Sequence, residues 1–139
     1  MRAYEYRHIV SFEETNLVGN VYYVNYVRWQ GRCREMFIRE YAPDVAQELQ
    51  KNLAIVTTHV SCDYLAELRA FDELIIRMRL KKMVQNRITM HFEYWRQDGN
   101  GEQLVARGEQ QVACMRRMGQ QMAATPIPNT LRQALQAYA

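Results

Sequence analysis

The chain has 139 residues, 48% of them hydrophobic and 24% charged, and a net charge of +3. That is enough for one domain with a buried core, and a single domain is expected over 1–139. The charge is too small and dispersed for a nucleic-acid surface, and no apolar run approaches membrane-spanning length. The start MRAYEYRHIVSFEET is polar and aromatic, unlike a signal or transit peptide.

Tyr4 to Phe12 reads as a first strand. A polar loop with Thr15, Asn16, Gly19 and Asn20 follows. Residues 24–42 form one long helical pattern, ended by Pro43, because a residue preceding proline is pushed out of helical geometry. Asp44 is placed to cap a short helix, VAQELQKN. The period then changes. Residues 53–66 are β-branched, and 73–82 and 87–96 alternate strictly. QDGNG at 97–101 carries two hairpin dipeptides, and a long strand runs from about 102 to 118. The tail NTLRQALQAYA predicts a terminal helix with Leu131, Leu135 and Tyr138 on one side. The order is one strand, one long helix, then four strands joined largely as a meander, and it predicts an α+β fold, a curved antiparallel sheet of about five strands wrapped around that helix.

Such a helix must be apolar over a wide arc. Stepping about 100° per residue gathers Arg28, Arg32, Glu35 and Arg39 into a solvent stripe. Tyr23, Tyr26, Val27, Trp29, Cys33, Met36, Phe37, Ile38 and Tyr41 lie opposite. Arg34 leaves the stripe for the shoulder of the buried arc, beside Gln30, where a charge needs a partner. It fits a snorkelling or interface arginine as well as a functional one.

Several arrangements carry no chemistry. His59, Ser61 and Asp63 share a strand face, but neighbours two apart are separated by about 6.6 Å, too far for a triad. His8 and His91 stand alone in strand patterns, and no histidine is expected near the loop or helix. The cysteines, Cys33, Cys62 and Cys114, are odd in number and lack metal-ligand spacing. They read as reduced packing residues of a cytoplasmic protein. No metal and no cofactor is predicted. The loop before the helix remains, since a helix N-terminus presents free N–H groups and partial positive charge and suits a developing oxyanion. Asn16 and Asn20 equally fit plain turn residues.

Residues 12–29, FEETNLVGNVYYVNYVRW, resemble the hot-dog thioesterases of the 4-hydroxybenzoyl-CoA thioesterase class, with Gly19, Tyr22, Asn25, Tyr26 and Trp29 matching its pattern. Asn16 stands where that class has an aspartate acting as nucleophile or base. Together with Arg34, this change is similar to the subgroup from enediyne biosynthesis. The resemblance implies hydrolysis of a β-keto polyene or polyketide chain from the acyl carrier protein domain of an iterative polyketide synthase, leading to a methyl ketone. It implies a homo-oligomer, dimers pairing into a tetramer, with Asn16 and Arg34 near a subunit boundary. Arg34, Asn16 and the backbone N–H of Tyr23 are the catalytic candidates. Tyr26, Tyr22, Gly19, Thr57 and Thr58 are the substrate-binding candidates. The basic stripe of the helix, or strand 77–82, offers a docking face for an acidic carrier. Hydrolysis of acyl-CoA and non-catalytic acyl binding remain alternatives. A hydratase is disfavoured for want of a histidine near the loop.

Overall fold

The polar loop and the long helix lie against one face of an antiparallel sheet in this computed structural model, which describes residues 2–139. Strand β1 is Tyr4–Ile9, shorter than predicted, because the chain turns into a 3-10 turn at Phe12–Glu14. Helix α1 is Val24–Tyr41, and Ala42 leaves helical geometry ahead of Pro43, as the proline rule requires. Helix α2, Pro43–Glu48, begins at Pro43 and has Ala42 at its N-cap position. Asp44 is therefore not the cap. Its carboxylate accepts instead from Thr130 Oγ1 at 2.8 Å, tying α2 to the terminal helix α3, Asn129–Gln136.

The remaining strands are β2 (Leu53–Tyr64), β3 (Glu73–Val84), β4 (Arg87–Asp98), β5 (Gly101–Met118) and a short β6 (Gln121–Ala124) absent from the predicted elements. The sheet order is β1-β3-β4-β5-β2, with β6 paired to β5. Thus β3, β4 and β5 form a meander, while β2 crosses to the far edge and leaves its outer side without a neighbour among the described residues. Strand alternation decides which side chains meet α1. Leu74, Ile76 and Met78 of β3 and Ile88, Met90, Phe92 and Tyr94 of β4 are buried with Trp29, Cys33 and Phe37 of the helix in one core. Each such large apolar side chain contributes about 1.5–3 kcal/mol on burial. This is the α+β half-barrel around a central helix expected from the pattern.

The helix phase agrees with the wheel at its centre and departs at its ends. Tyr26, Trp29, Cys33, Phe37 and Ile38 are buried and Arg28, Arg32, Glu35 and Arg39 exposed. Tyr23 and Tyr41, predicted buried, are exposed at the two ends of the helix, and Val27 and Met36 are half-buried. Helix α3 closes the other side of the core through Leu131, Leu135 and Tyr138. No helix among the described residues is long and apolar enough to cross a membrane.

Candidate active site

The loop before α1 is built by its own hydrogen bonds. Asn16 Oδ1 accepts from the N–H of Val18 at 2.9 Å, an Asx turn. Asn16 N–H donates to the Asn20 carbonyl and its own carbonyl accepts from Gly19 N–H. Gly19 takes φ +93°, a region that penalises any side chain, so its role is to close the turn. The Asn16 side-chain NH2 has no partner among the described residues and is free to donate.

Helix α1 starts at Tyr23 without a side-chain cap. Among the described residues, the Tyr23 N–H has no backbone acceptor, so one orphan donor of the helix end is available. The Tyr23 carbonyl accepts from Tyr64 Oη at 2.9 Å. Asn16, Tyr23, Tyr26 and Tyr64 line one cleft of about 240 Å³, with Leu68 and Glu67 in its wall. Tyr26 is buried, and its hydroxyl is pushed up to about 12 by that burial and by the fields of Cys62 and Tyr64. At neutral pH it is a neutral phenol, a donor and not a base.

Arg34 is elsewhere. It lies eight residues along α1 from Tyr26, about 12 Å along the axis. Its Nη1 donates to Gln110 Oε1 of β5 at 2.7 Å. It heads an apolar slot walled by Phe37, Ile38, Ile55, Ile88, Leu131 and Leu135, among others. Burial pulls its pKa below the ordinary arginine value, and Glu35 pulls it partly back. The guanidinium nonetheless stays charged. No carboxylate lies within 4.0 Å of it among the described residues. The slot has about 10 Å³ free, at most one water's worth, so a chain can enter only if it opens.

Within one chain the candidates therefore separate into two places. Asn16, the Tyr23 N–H and Tyr26 share the cleft, whereas Arg34 does not reach it. Gly19 shapes the loop without lining the cleft, and Tyr22 is exposed beside Tyr23, with ring centroids 4.8 Å apart. Thr57 and Thr58 are exposed at a bulge of β2 and do not wall the cleft, and Thr58 Oγ1 bonds across to Gln111. Ile55, two residues earlier, is the β2 residue that faces the slot.

The sequence reading overlooked Glu14. Its carboxylate accepts from His8 Nε2 at 2.8 Å, from Ser11 N–H at 2.9 Å and from Trp29 Nε1 at 2.8 Å. Its carbonyl accepts from Asn25 Nδ2 and Tyr22 N–H. Burial pushes the Glu14 carboxyl up, but the three N–H donors outweigh it and hold the pKa below the ordinary value. His8 is thus neither alone nor remote from the loop, and its ring lies 4.9 Å from that of Trp29. The expectation of no histidine near loop or helix is corrected. The available signal was that β1, six residues from Glu14, must run beside the loop it feeds.

The profile of the Thioesterase-like superfamily matches residues 10–135. The chain belongs to this superfamily. Among solved structures, the dynemicin thioesterase, studied for induced-fit and allosteric effects on polyene binding, is 46% identical. That match covers 99% of this chain and 98% of that one, with a TM-score of 0.96. An aspartate-to-asparagine variant of 4-hydroxybenzoyl-CoA thioesterase bound to 4-hydroxybenzoyl-CoA shares the fold at 17% identity and TM-score 0.86, covering 97% of this chain and 99% of that one. So does 1,4-dihydroxy-2-naphthoyl-CoA thioesterase from Synechocystis, at 18% identity and TM-score 0.85, covering 96% of each chain. None of the curated proteins compared matches the chain. The fold is the hot-dog fold of these thioesterases, and thioesterase activity follows at the level of the family.

Proposed function

We propose that this thioesterase, a single domain over 1–139, hydrolyses a β-keto polyene chain from an acyl carrier protein in enediyne-type biosynthesis, without an acidic nucleophile or base. The observation that carries this reading is Arg34, a desolvated guanidinium that lines an apolar slot and, among the described residues, is held by a neutral amide alone. Such a group has N–H donors to spare and no counter-ion, which suits an uncharged substrate whose oxygens gain negative charge during reaction. The 46% identity to the dynemicin thioesterase supports the polyene chain as substrate.

The chemistry then runs as follows. Water adds to the thioester carbonyl, and its oxygen takes negative charge against the donors of Asn16, Tyr23 N–H and Arg34. The C–S bond breaks, the departing thiolate takes up a proton, and a β-keto acid is released. That acid loses CO2 through an enolate that the same donors stabilise, and protonation leaves a methyl ketone. The polyene occupies the slot headed by Arg34 once it opens.

Arg34 lies about 12 Å along the helix axis from Tyr26 and lines a different pocket from Asn16, Tyr23 and Tyr26. We therefore place the working site across two protomers, the loop of one beside Arg34 of the other. The long outer edge of β2, with Val60, Tyr64 and Leu65 exposed along it, offers the pairing surface, and dimers pair further into a tetramer. A cytoplasmic location accords with the three free cysteines.

A coenzyme A substrate needs a free phosphate-binding cluster, and strand 77–82 does not supply one. Arg77 is bonded to Glu5 and Glu102, Arg79 to Glu93 and Lys81 to Glu109. The same pairing leaves Lys82 as that strand's one basic side chain without an ion pair among the described residues, so Arg28, Arg32 and Arg39 on α1 are the docking face this reading favours. The test is turnover of a carrier-bound β-keto thioester, measured by release of free carrier thiol and of CO2. No release from the carrier together with rapid turnover of acyl-CoA would overturn the reading.

A further inference from the structure

At the start of the loop one carboxylate, that of Glu14, gathers bonds from a strand, a turn and the helix, while the loop's far end is held separately by Asn20 Nδ2 donating to Glu67 and Val21 N–H donating to the Leu68 carbonyl. Glu14 Oε1 accepts from Ser11 N–H and from His8 Nε2 of β1, and Oε2 accepts from Trp29 Nε1 of α1. Its main-chain oxygen takes two more bonds, from Asn25 Nδ2 in the first turn of the helix and from Tyr22 N–H at the loop's end. The side chain is only 12% exposed, and Trp29 is fully buried. Capping the 3-10 turn requires only the Ser11 bond. The other four reach outside that turn, to a strand, a helix and the far end of the loop.

These bonds lie where geometry matters for the reaction. Asn16 is two residues after Glu14, and Tyr23 one residue after Tyr22. A carboxylate accepts from all three donors at once, which an amide cannot do. Its hold on β1 and α1 sets where the loop enters and where the helix starts. We propose that Glu14, clamped by His8 and Trp29, is a positioning residue that aims the Asn16 amide and the Tyr23 N–H at one carbonyl oxygen. This rests on the reading of those two groups as oxyanion donors. Glu14 touches no substrate in this role.

Glu14→Gln tests it. The amide keeps the shape but turns one acceptor oxygen into a donor, which then meets the N–H of Ser11 or Trp29. Misplacement of donors by about an ångström costs up to about a hundredfold in rate. Turnover of the carrier-bound thioester is expected to fall about ten- to hundredfold in kcat, with KM within about twofold. The amides of Asn16 and Gly19 exchange hydrogen faster, while circular dichroism is unchanged. Adding Trp29→Phe removes the donor left unmet and recovers part of kcat. His8→Phe, with one clamp missing and the carboxylate kept, shows the same split more weakly and serves should Glu14→Gln fold poorly. Wild-type kcat in both folded variants overturns the proposal, as does a fall in kcat with no change in exchange. Asn16→Ala, run alongside, separates the two levels. Unchanged turnover there removes the oxyanion reading and the positioning role with it. Slowed turnover there, with wild-type kcat in Glu14→Gln, removes the positioning role alone.

Discussion

Arg34 and Glu14 are opposite solutions to a buried charge. Glu14 is saturated by three donors and is a fixture. Among the described residues Arg34 has one amide acceptor and its other N–H groups unpaired, which makes it available. Arg34→Ala should lower turnover of a carrier-bound thioester by about two to three orders of magnitude. Arg34→Lys should not restore it, because an ammonium lacks the planar fork. Steady-state kinetics on folded variants decides this, and near-normal turnover in Arg34→Ala would take the arginine out of the mechanism. Asn16→Asp should be no faster than wild type. It restores the acid of the wider class but sets a carboxylate against a transition state that is already negative. The Glu14 carboxyl is held below its unfolded value, so its stabilisation is fully present above about pH 4.3 and is lost as pH falls through the folded pKa. The gap in urea midpoint between wild type and Glu14→Gln should accordingly be steady near neutrality and narrow below about pH 4. A gap that widens in acid would contradict the hydrogen bonding described.

Helix α1 and strands β2 and β5 meet at one tight point. A Cβ on Gly108 would lie 2.4 Å from Gln30 Nε2 and 2.4 Å from the Ser61 carbonyl oxygen. Gln30 is fully buried and donates through that nitrogen to the same carbonyl at 3.0 Å. Backbone cannot yield as a side-chain tip can, so Gly108→Ala must part β2 from β5 or push α1 outward. Overpacking of this kind costs about 1–3 kcal/mol. Equilibrium urea unfolding should report a loss in that range, and an unchanged midpoint would mean that α1 floats on the sheet. The separation of β2 from β3 in the sheet places Ile55 against the slot and leaves the outer side of β2 without a neighbour among the described residues.

The assembled molecule is tested by mixing. If the working site joins the loop of one protomer to Arg34 of the next, Asn16→Ala and Arg34→Ala are each impaired in both sites of a dimer. A heterodimer of the two has one intact site. Random subunit exchange should therefore restore about a quarter of wild-type activity, as two-fold symmetry dictates. No recovery after verified exchange would place each site within one chain. The proposed carrier docking is tested at the outer surface. Among the described residues Arg28, Arg32 and Arg39 have no ion pair. Reversing their charge should weaken turnover of the carrier-bound substrate, and its dependence on salt, while sparing a small thioester. Equal loss on both substrates would argue against docking there.

Local periodicity was enough for much of this molecule. The helix from Val24 to Tyr41, the alternating strands, the hairpin at 98–101 and the buried side of α3 each follow from residues a few positions apart, because burial selects side chains with the period of the element. The shoulder position of Arg34 was legible for the same reason. The motif through Gly19, Asn25 and Tyr26 carried the family. Periodicity is silent on what depends on distant packing. The four strands after the helix read largely as a meander, and that holds for β3, β4 and β5, but β2 pairs with β5 rather than β3, a choice made by the whole sheet closing over α1. Strand β6 was missed because its four residues are all exposed and so show no alternation. The His8–Glu14–Trp29 contact joins a strand, a turn and a helix, and each residue looked ordinary in its own segment. The separation of Asn16 from Arg34 was likewise decided by the tertiary structure. Asn16 and Arg34 line different pockets of one chain because a rigid helix advances about 1.5 Å per residue and carries Arg34 about 12 Å along its axis from Tyr26.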